Sequence, residues 1–139
     1  MGSKPSVLLI HGFTGHRSSL EPLLPMFDRL GIEWQYPILT GHGTKPEDLF
    51  GVRWLDWQDD VEKAYQQLRQ AHNSVVIVAL SMGTLLSIEL AVKHSTEIKG
   101  LVLISPAVRF YHKLAPLTPF ISPIIKRFPF PSKDKFSSA

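Results

Sequence analysis

The stretch Val75 to Leu80 reads VVIVAL and is apolar at every position, closed off by Ser74 and Ser81. Neighbouring residues of a strand point to opposite faces. A strand that is apolar throughout therefore needs cover on both sides, which is the setting of a parallel strand inside a layered sheet. Val7 to Ile10 repeats the pattern and runs into the turn-rich HGFTGHRSS. Ile32 to Tyr36, stopped by Pro37, and Gly100 to Ser105 (GLVLIS) read as the second and fourth strands. The segments between them carry apolar residues at helical spacing. Leu20, Leu23, Leu24, Phe27 and Leu30 mark the first, with Ser18 and Glu21 spaced as a capping box and Gly31 placed to end it. Pro22 and Pro25 are expected to make its first turns irregular. Trp54, Leu55, Trp57, Val61, Ala64, Tyr65 and Leu68 mark a long second helix ending near His72 and Asn73. Leu85 to Val92 mark a third, closed by Lys93 and His94, where cations suit the helix dipole. The order β-α-β-α-β-α-β predicts an α/β fold, a parallel sheet with right-handed crossovers and helices on both faces.

The pattern changes after Pro106. Pro116, Pro119, Pro123, Pro129 and Pro131 are scattered among Phe, Ile and Leu. Residues 1–106 are therefore expected to form the core, and residues 107–139 the start of a lid or cap segment. With 139 residues, 44% of them hydrophobic and 19% charged, the chain suits one packed domain and not a disordered one. A net charge of +3, with scattered basic residues, argues against a nucleic-acid surface. The absence of cysteine excludes disulfides, thiolate metal sites and cysteine nucleophiles. No metal or cofactor is expected. No run approaches the roughly 18–20 apolar residues of a membrane span, so no transmembrane segment is expected. SVLLI near the start is too short for a signal peptide, and a cytoplasmic location is the expectation.

Reactive groups in open parallel sheets gather beyond the carboxyl ends of the strands. Ser81 stands at such an end, between a strand and a helix. A nucleophile presented on a sharp strand-to-helix turn needs small residues two before and two after it. Ala79 and Gly83 meet that demand. The plainer alternative is a serine that only caps a helix. His11-Gly12-Phe13-Thr14-Gly15 follows the first strand directly. An oxyanion formed by attack on an ester carbonyl needs two converging donors, and the Phe13 and Met82 amides are candidates. Here too a plain glycine turn with a buried His11 would suit the same residues. Neither the phosphate-loop pattern nor G-x-G-x-x-G is present, which excludes the usual nucleotide sites.

SVLLIHGFTG, TGHG, DWQDDVEKAY and VVIVALSMG, in that order, resemble the N-terminal half of an α/β-hydrolase over roughly residues 6 to 110. The likeness is nearest to the bacterial carboxylesterase and monoacylglycerol-lipase group. It implies an α/β-hydrolase fold truncated after the fourth strand, with Ser81 as nucleophile and the Phe13 and Met82 amides as oxyanion hole. His11, Gly12, His42 in the Gly41-His42-Gly43 loop, and Gly83 would shape the pocket for a small-molecule ester. Two residues depart from the pattern. Ala79 replaces the usual first glycine of G-x-S-x-G, and Thr84 stands where the group often has another glycine.

A serine hydroxyl needs a base, usually a histidine oriented by a carboxylate. In this fold the order along the chain is serine, acid, histidine. After Ser81 come the acids Glu89, Glu97 and Asp134, and the histidines His94 and His112, with none beyond Asp134. His94 falls at the far end of the helix that begins at Ser81. His112 and His42 are the residues placed to approach the serine, each weakly. The expectation is a chain that carries nucleophile and oxyanion hole without the other two triad members. Its exposed fourth strand would pair in a homodimer or with a complementary C-terminal half. A catalytically incomplete binding module, or an acyltransferase or thioesterase, would use the same scaffold.

Overall fold

The structure, a computed structural model, describes residues 5–107. The expected lid, His112 and Asp134 lie outside them. Four strands and three α-helices alternate: β1 (Ser6–Ile10), α1 (Leu24–Leu30), β2 (Trp34–Gln35), α2 (Trp54–Arg69), β3 (Val75–Leu80), α3 (Gly83–Lys93) and β4 (Ile98–Ile104). The strands form one parallel sheet in the order β2-β1-β3-β4. Register runs from Ser6 opposite Val75 to Ile10 opposite Ala79, and from Val76 opposite Gly100 to Leu80 opposite Ile104. A shift at Val75/Val76 leaves Lys99 as an extra residue at the start of β4.

The alternating directions of β1 and β3 side chains divide the core. Leu8, Ile10, Val75, Ile77 and Ala79 pack against Val61, Tyr65 and Leu68 of α2 and Leu86 and Leu90 of α3. Val7, Leu9 and Val78 face the other way, onto Leu20, Leu24 and Phe27 around α1. The fully apolar run Val75–Leu80 is thus covered on both faces, as a central parallel strand requires. Outermost in the sheet, β4 is less protected. Its Leu101, Val102 and Leu103 are 36%, 48% and 37% exposed.

The region after β1 departs from expectation. Ser18 and Glu21 form no capping box; His16 Nδ1 accepts the Ser18 N–H instead, at 3.4 Å. Pro22 and Pro25 lack the N–H that a continuous helical ladder needs. The chain takes two 3-10 turns, Arg17–Ser19 and Glu21–Leu23, before α1 begins. Gly31, at φ 60°, ends α1 with its N–H on Asp28 and the Ile32 N–H on Phe27. β2 shrinks to Trp34 and Gln35, paired on one side only with Val7 and Leu8. α2 stops at Arg69, and only a final turn reaches His72, whose N–H donates to the Leu68 carbonyl at 3.0 Å.

Candidate active site

After β1 the chain moves to one side of it through α1 and β2, then returns to place β3 on the other. The carboxyl ends of β1 and β3 are therefore the topological switch point, where crossovers leave in opposite directions and a crevice opens. His11-Gly12-Phe13 leaves one of these ends and Ser81 the other.

Ser81 has φ 51°, a left-handed backbone that costs a side-chain-bearing residue about 1–3 kcal/mol. Its peptide groups hold it there. The Ser81 N–H donates to Ile104 O at 2.9 Å. The Ser81 carbonyl accepts both the Thr84 N–H at 3.0 Å and Thr84 Oγ1 at 2.6 Å. Ser87 Oγ in turn donates to Thr84 O at 2.7 Å. Thr84 and Ser87 are both fully buried, so these bonds form away from competing water. The departure at Thr84 noted in the sequence is thus a second anchor for the turn.

Close packing explains the two glycines at this point. A Cβ on Gly83 would lie 2.6 Å from His11 O and 2.7 Å from Ile10 O, so the start of α3 rests directly on the end of β1. The crowding that the sequence suggested between Ala79 and Gly83 is felt chiefly between Gly83 and β1. A Cβ on Gly12 would lie 3.1 Å from Ser81 Cβ. The loop after β1 therefore packs against the serine itself. Among the described residues, neither the Phe13 N–H nor the Met82 N–H donates to another group, and Ser81 Oγ, on a half-buried residue, has no partner.

His11 is fully buried and tied at both ring nitrogens. Nδ1 lies 2.9 Å from Gly12 O, which can only accept. Nε2 lies 3.1 Å from the Leu39 N–H, which can only donate. Both bonds select the neutral ring with its proton on Nδ1. Burial pushes its pKa below the usual 6.5, with smaller contributions in the same direction from His42 and His16, against the Gly12 hydrogen bond. His11 braces the loop and has no free lone pair with which to act as a base.

His42 is 95% buried by its 5% exposure, and its ring sits 4.9 Å from His11, 5.3 Å from Trp57 and 6.0 Å from Phe13, centroid to centroid. Its Nδ1 approaches Thr40 O at 3.3 Å, and its Nε2 is buried without a partner among the described residues. With Thr14, Gly41 and Gly43 it lines a small cavity of about 80 Å³ beside the HGFTG loop.

Of the other described histidines, His16 follows the HGFTG loop with Nδ1 accepting the Ser18 N–H, and His72 and His94 lie elsewhere. His94 Nε2 is 3.0 Å from both Glu62 oxygens, and His72 Nε2 is 2.8 Å from Glu33. Glu89 accepts from the Trp54 indole, and Glu97 from Thr96. A larger cavity of about 310 Å³, lined by Tyr65, Arg69, His94 and Glu97 among others, belongs to the amino end of the sheet. It is remote from the Ser81 turn, so size alone is a poor guide to the site here. No group of three or more metal-ligating side chains occurs among the described residues, and no helix there is long and apolar enough to cross a membrane.

Comparison with known proteins agrees with this architecture. The family described as serine aminopeptidase, S33, matches residues 2–138. A thermostable monoacylglycerol lipase of Bacillus sp. (strain H-257) is 40% identical over 102 residues, covering 73% of this chain and 40% of that protein. A carboxylesterase of Bacillus subtilis (strain 168) is 32% identical over 102 residues, covering 73% and 41%. The chain thus spans about two-fifths of the length of these curated relatives. A solved structure from a study of the metagenome-derived lipolytic enzymes LipS and LipT superposes with TM-score 0.77 at 34% identity, over 85% of this chain and 49% of that one. A 2-hydroxy-6-oxo-6-phenylhexa-2,4-dienoate hydrolase from Rhodococcus sp. strain RHA1, at 18% identity and TM-score 0.62, shares the fold. With its parallel sheet, its serine on a left-handed strand-to-helix turn and a family match across nearly the whole sequence, the chain belongs to the serine aminopeptidase, S33, family of α/β-hydrolases.

Proposed function

We propose that this chain supplies the nucleophile and oxyanion hole of a serine carboxylic-ester hydrolase. The carrying observation is the left-handed Ser81 turn with Gly12 packed against it and two unengaged amides, Phe13 and Met82, on either flank. In this reading Ser81 Oγ attacks the ester carbonyl carbon and a base takes its proton. The carbonyl oxygen becomes an oxyanion that accepts from Phe13 N–H and Met82 N–H. Collapse expels the alcohol, which takes up a proton, and water then releases the acid from the acyl-serine. A different acceptor at that last step would make the same site an acyltransferase, and a thiol leaving group a thioesterase. The similarity to a monoacylglycerol lipase and a carboxylesterase supports an uncharged carboxylic ester as substrate.

The base and its carboxylate would come with a complementary C-terminal piece added at the β4 edge, an edge that a second copy could cover without completing the triad. The exposure of Leu101, Val102 and Leu103 supports that edge as the junction. The engagement of His11, His72 and His94 elsewhere favours, as a second reading, a chain that binds without turning over when alone.

A fluorophosphonate probe separates the two. Labelling at Ser81, lost in Ser81→Ala, supports the hydrolase reading. Labelling that appears only when a C-terminal portion is supplied supports assembly at the edge. A chain unlabelled under both conditions would be a binding module.

A further inference from the structure

Thr40 lies in the exposed loop after β2, yet both of its backbone groups are taken by side chains of α2. Its N–H donates to Asp60 Oδ2 at 2.6 Å, and its carbonyl accepts from the Trp57 indole at 2.8 Å. Trp57 and Asp60 are three residues apart, so they share one face of the helix. The Trp57 ring is buried in the core, and its indole N–H finds its acceptor in the Thr40 carbonyl. The carboxylate acceptor makes one of the two bonds charge-assisted and short.

From Thr40 two paths lead to the same turn. One residue earlier, the Leu39 N–H donates to His11 Nε2, whose Nδ1–H holds Gly12 O. Two residues later, the His42 ring, with Nδ1 on Thr40 O, stands between the rings of Trp57, His11 and Phe13. Trp57 also meets the Phe13 ring edge-on at 6.2 Å. Both paths end at Gly12–Phe13, the peptide that touches Ser81 and bears one of the two unengaged amides.

We propose that Asp60 and Trp57 are positioning residues for the oxyanion loop: by clamping Thr40 they fix the His11 and His42 rings, and through them the direction of the Phe13 N–H. The role in catalysis rests on the esterase reading of Ser81. The coupling itself does not, which keeps the two separable.

The test uses the full chain, isotopically labelled, with Asp60→Ala, Asp60→Asn and Trp57→Phe. Asp60→Asn keeps an acceptor oxygen for Thr40, and Trp57→Phe keeps an aromatic ring while removing the indole donor. Asp60→Ala and Trp57→Phe should move the Gly12 and Phe13 amide resonances and the His11 ring nitrogens, leaving residues of α1, on the other face of the sheet, such as Arg29 unmoved. Asp60→Asn should restore most of the shift. With a reactive preparation, Asp60→Ala should slow fluorophosphonate capture of Ser81 about 10- to 100-fold, the scale expected of a donor displaced by a fraction of an ångström to an ångström. Resonance changes confined to residues 38–44 and α2 would overturn the coupling. So would a capture rate that falls only in step with the unfolded fraction. If the parent chain is never labelled, the esterase reading fails, and the Phe13 resonance still decides whether α2 steers the loop. Should Asp60→Ala fail to fold, Trp57→Phe carries the same comparison.

Discussion

Ser81, Gly83 and Thr84 show how few atoms define the turn. Gly83→Ala would push a methyl carbon to within about 2.6–2.9 Å of Ile10 and His11. A loss of about 1–3 kcal/mol is expected, since the neighbouring strand cannot move aside. Urea unfolding with an unchanged midpoint would refute that packing. Thr84→Val keeps the shape but removes the Oγ1 bond to the Ser81 carbonyl. A stability loss of about 0.5–1.5 kcal/mol should follow, together with slower labelling of Ser81. His11 provides a pH signature. Its folded pKa lies below the unfolded 6.5, so the folded state binds fewer protons. Its contribution is whole above pH 6.5 and is lost as the pH falls through the folded value. The unfolding free energy should therefore fall as the pH is lowered below 6.5, and His11→Asn should flatten that part of the curve. At this scale the sequence located the turn, since an apolar strand stops at Ser81, but it left a helix cap and a nucleophile as alternatives for the serine and set Gly83 against Ala79 where the structure has the end of β1. At Thr84 the change from the family pattern pointed to altered helix packing behind the serine, and not to a bond with its carbonyl. Nothing local says that a hydroxyl will reach the carbonyl three residues back.

Helix α2 contributes to both ends of the sheet. At the carboxyl end it holds Thr40. Nearer its middle, Glu62 receives hydrogen bonds from Gln66, Lys93 and His94 and so ties α2 to α3. Burial alone would raise the Glu62 pKa; those hydrogen bonds and the charge of His94 outweigh it and bring the value from 4.5 to about 2. A lowered carboxyl pKa gives stability that is present above 4.5 and disappears toward 2. Glu62→Gln should remove the acid-side slope in that interval while leaving the His11 slope near neutrality. Acid titrations of the two variants, monitored by circular dichroism, would resolve the two windows. Periodicity alone disclosed α2 and α3, since long amphipathic or apolar segments are the strongest signal a sequence carries. It failed after β1, where two prolines turned one expected helix into 3-10 turns followed by a short α-helix. It overstated β2, whose alternating residues suit a strand although only two of them find a partner.

For the whole molecule, the alternation of elements predicts a parallel sheet but not its order. Placing β1 between β2 and β3 depends on contacts between distant segments, and that order is what brings Gly12 beside Ser81. The relation of the exposed β4 to any partner is likewise beyond local sequence. If the edge joins two chains, sedimentation at micromolar concentration should show a dimer, and Val102→Lys, which puts a charge on a residue 48% exposed, should shift it toward monomer. A parent chain that sediments as a clean monomer counts against the homodimer.

The Ser81 amide is bonded to the last carbonyl of that same outer strand, at Ile104. Fraying of β4 would thus be sensed at Ser81 before it spread further inward. Hydrogen–deuterium exchange at this single amide should slow when anything docks along the sheet margin. The Ser81 amide then reports directly on whether the outer strand has found a partner.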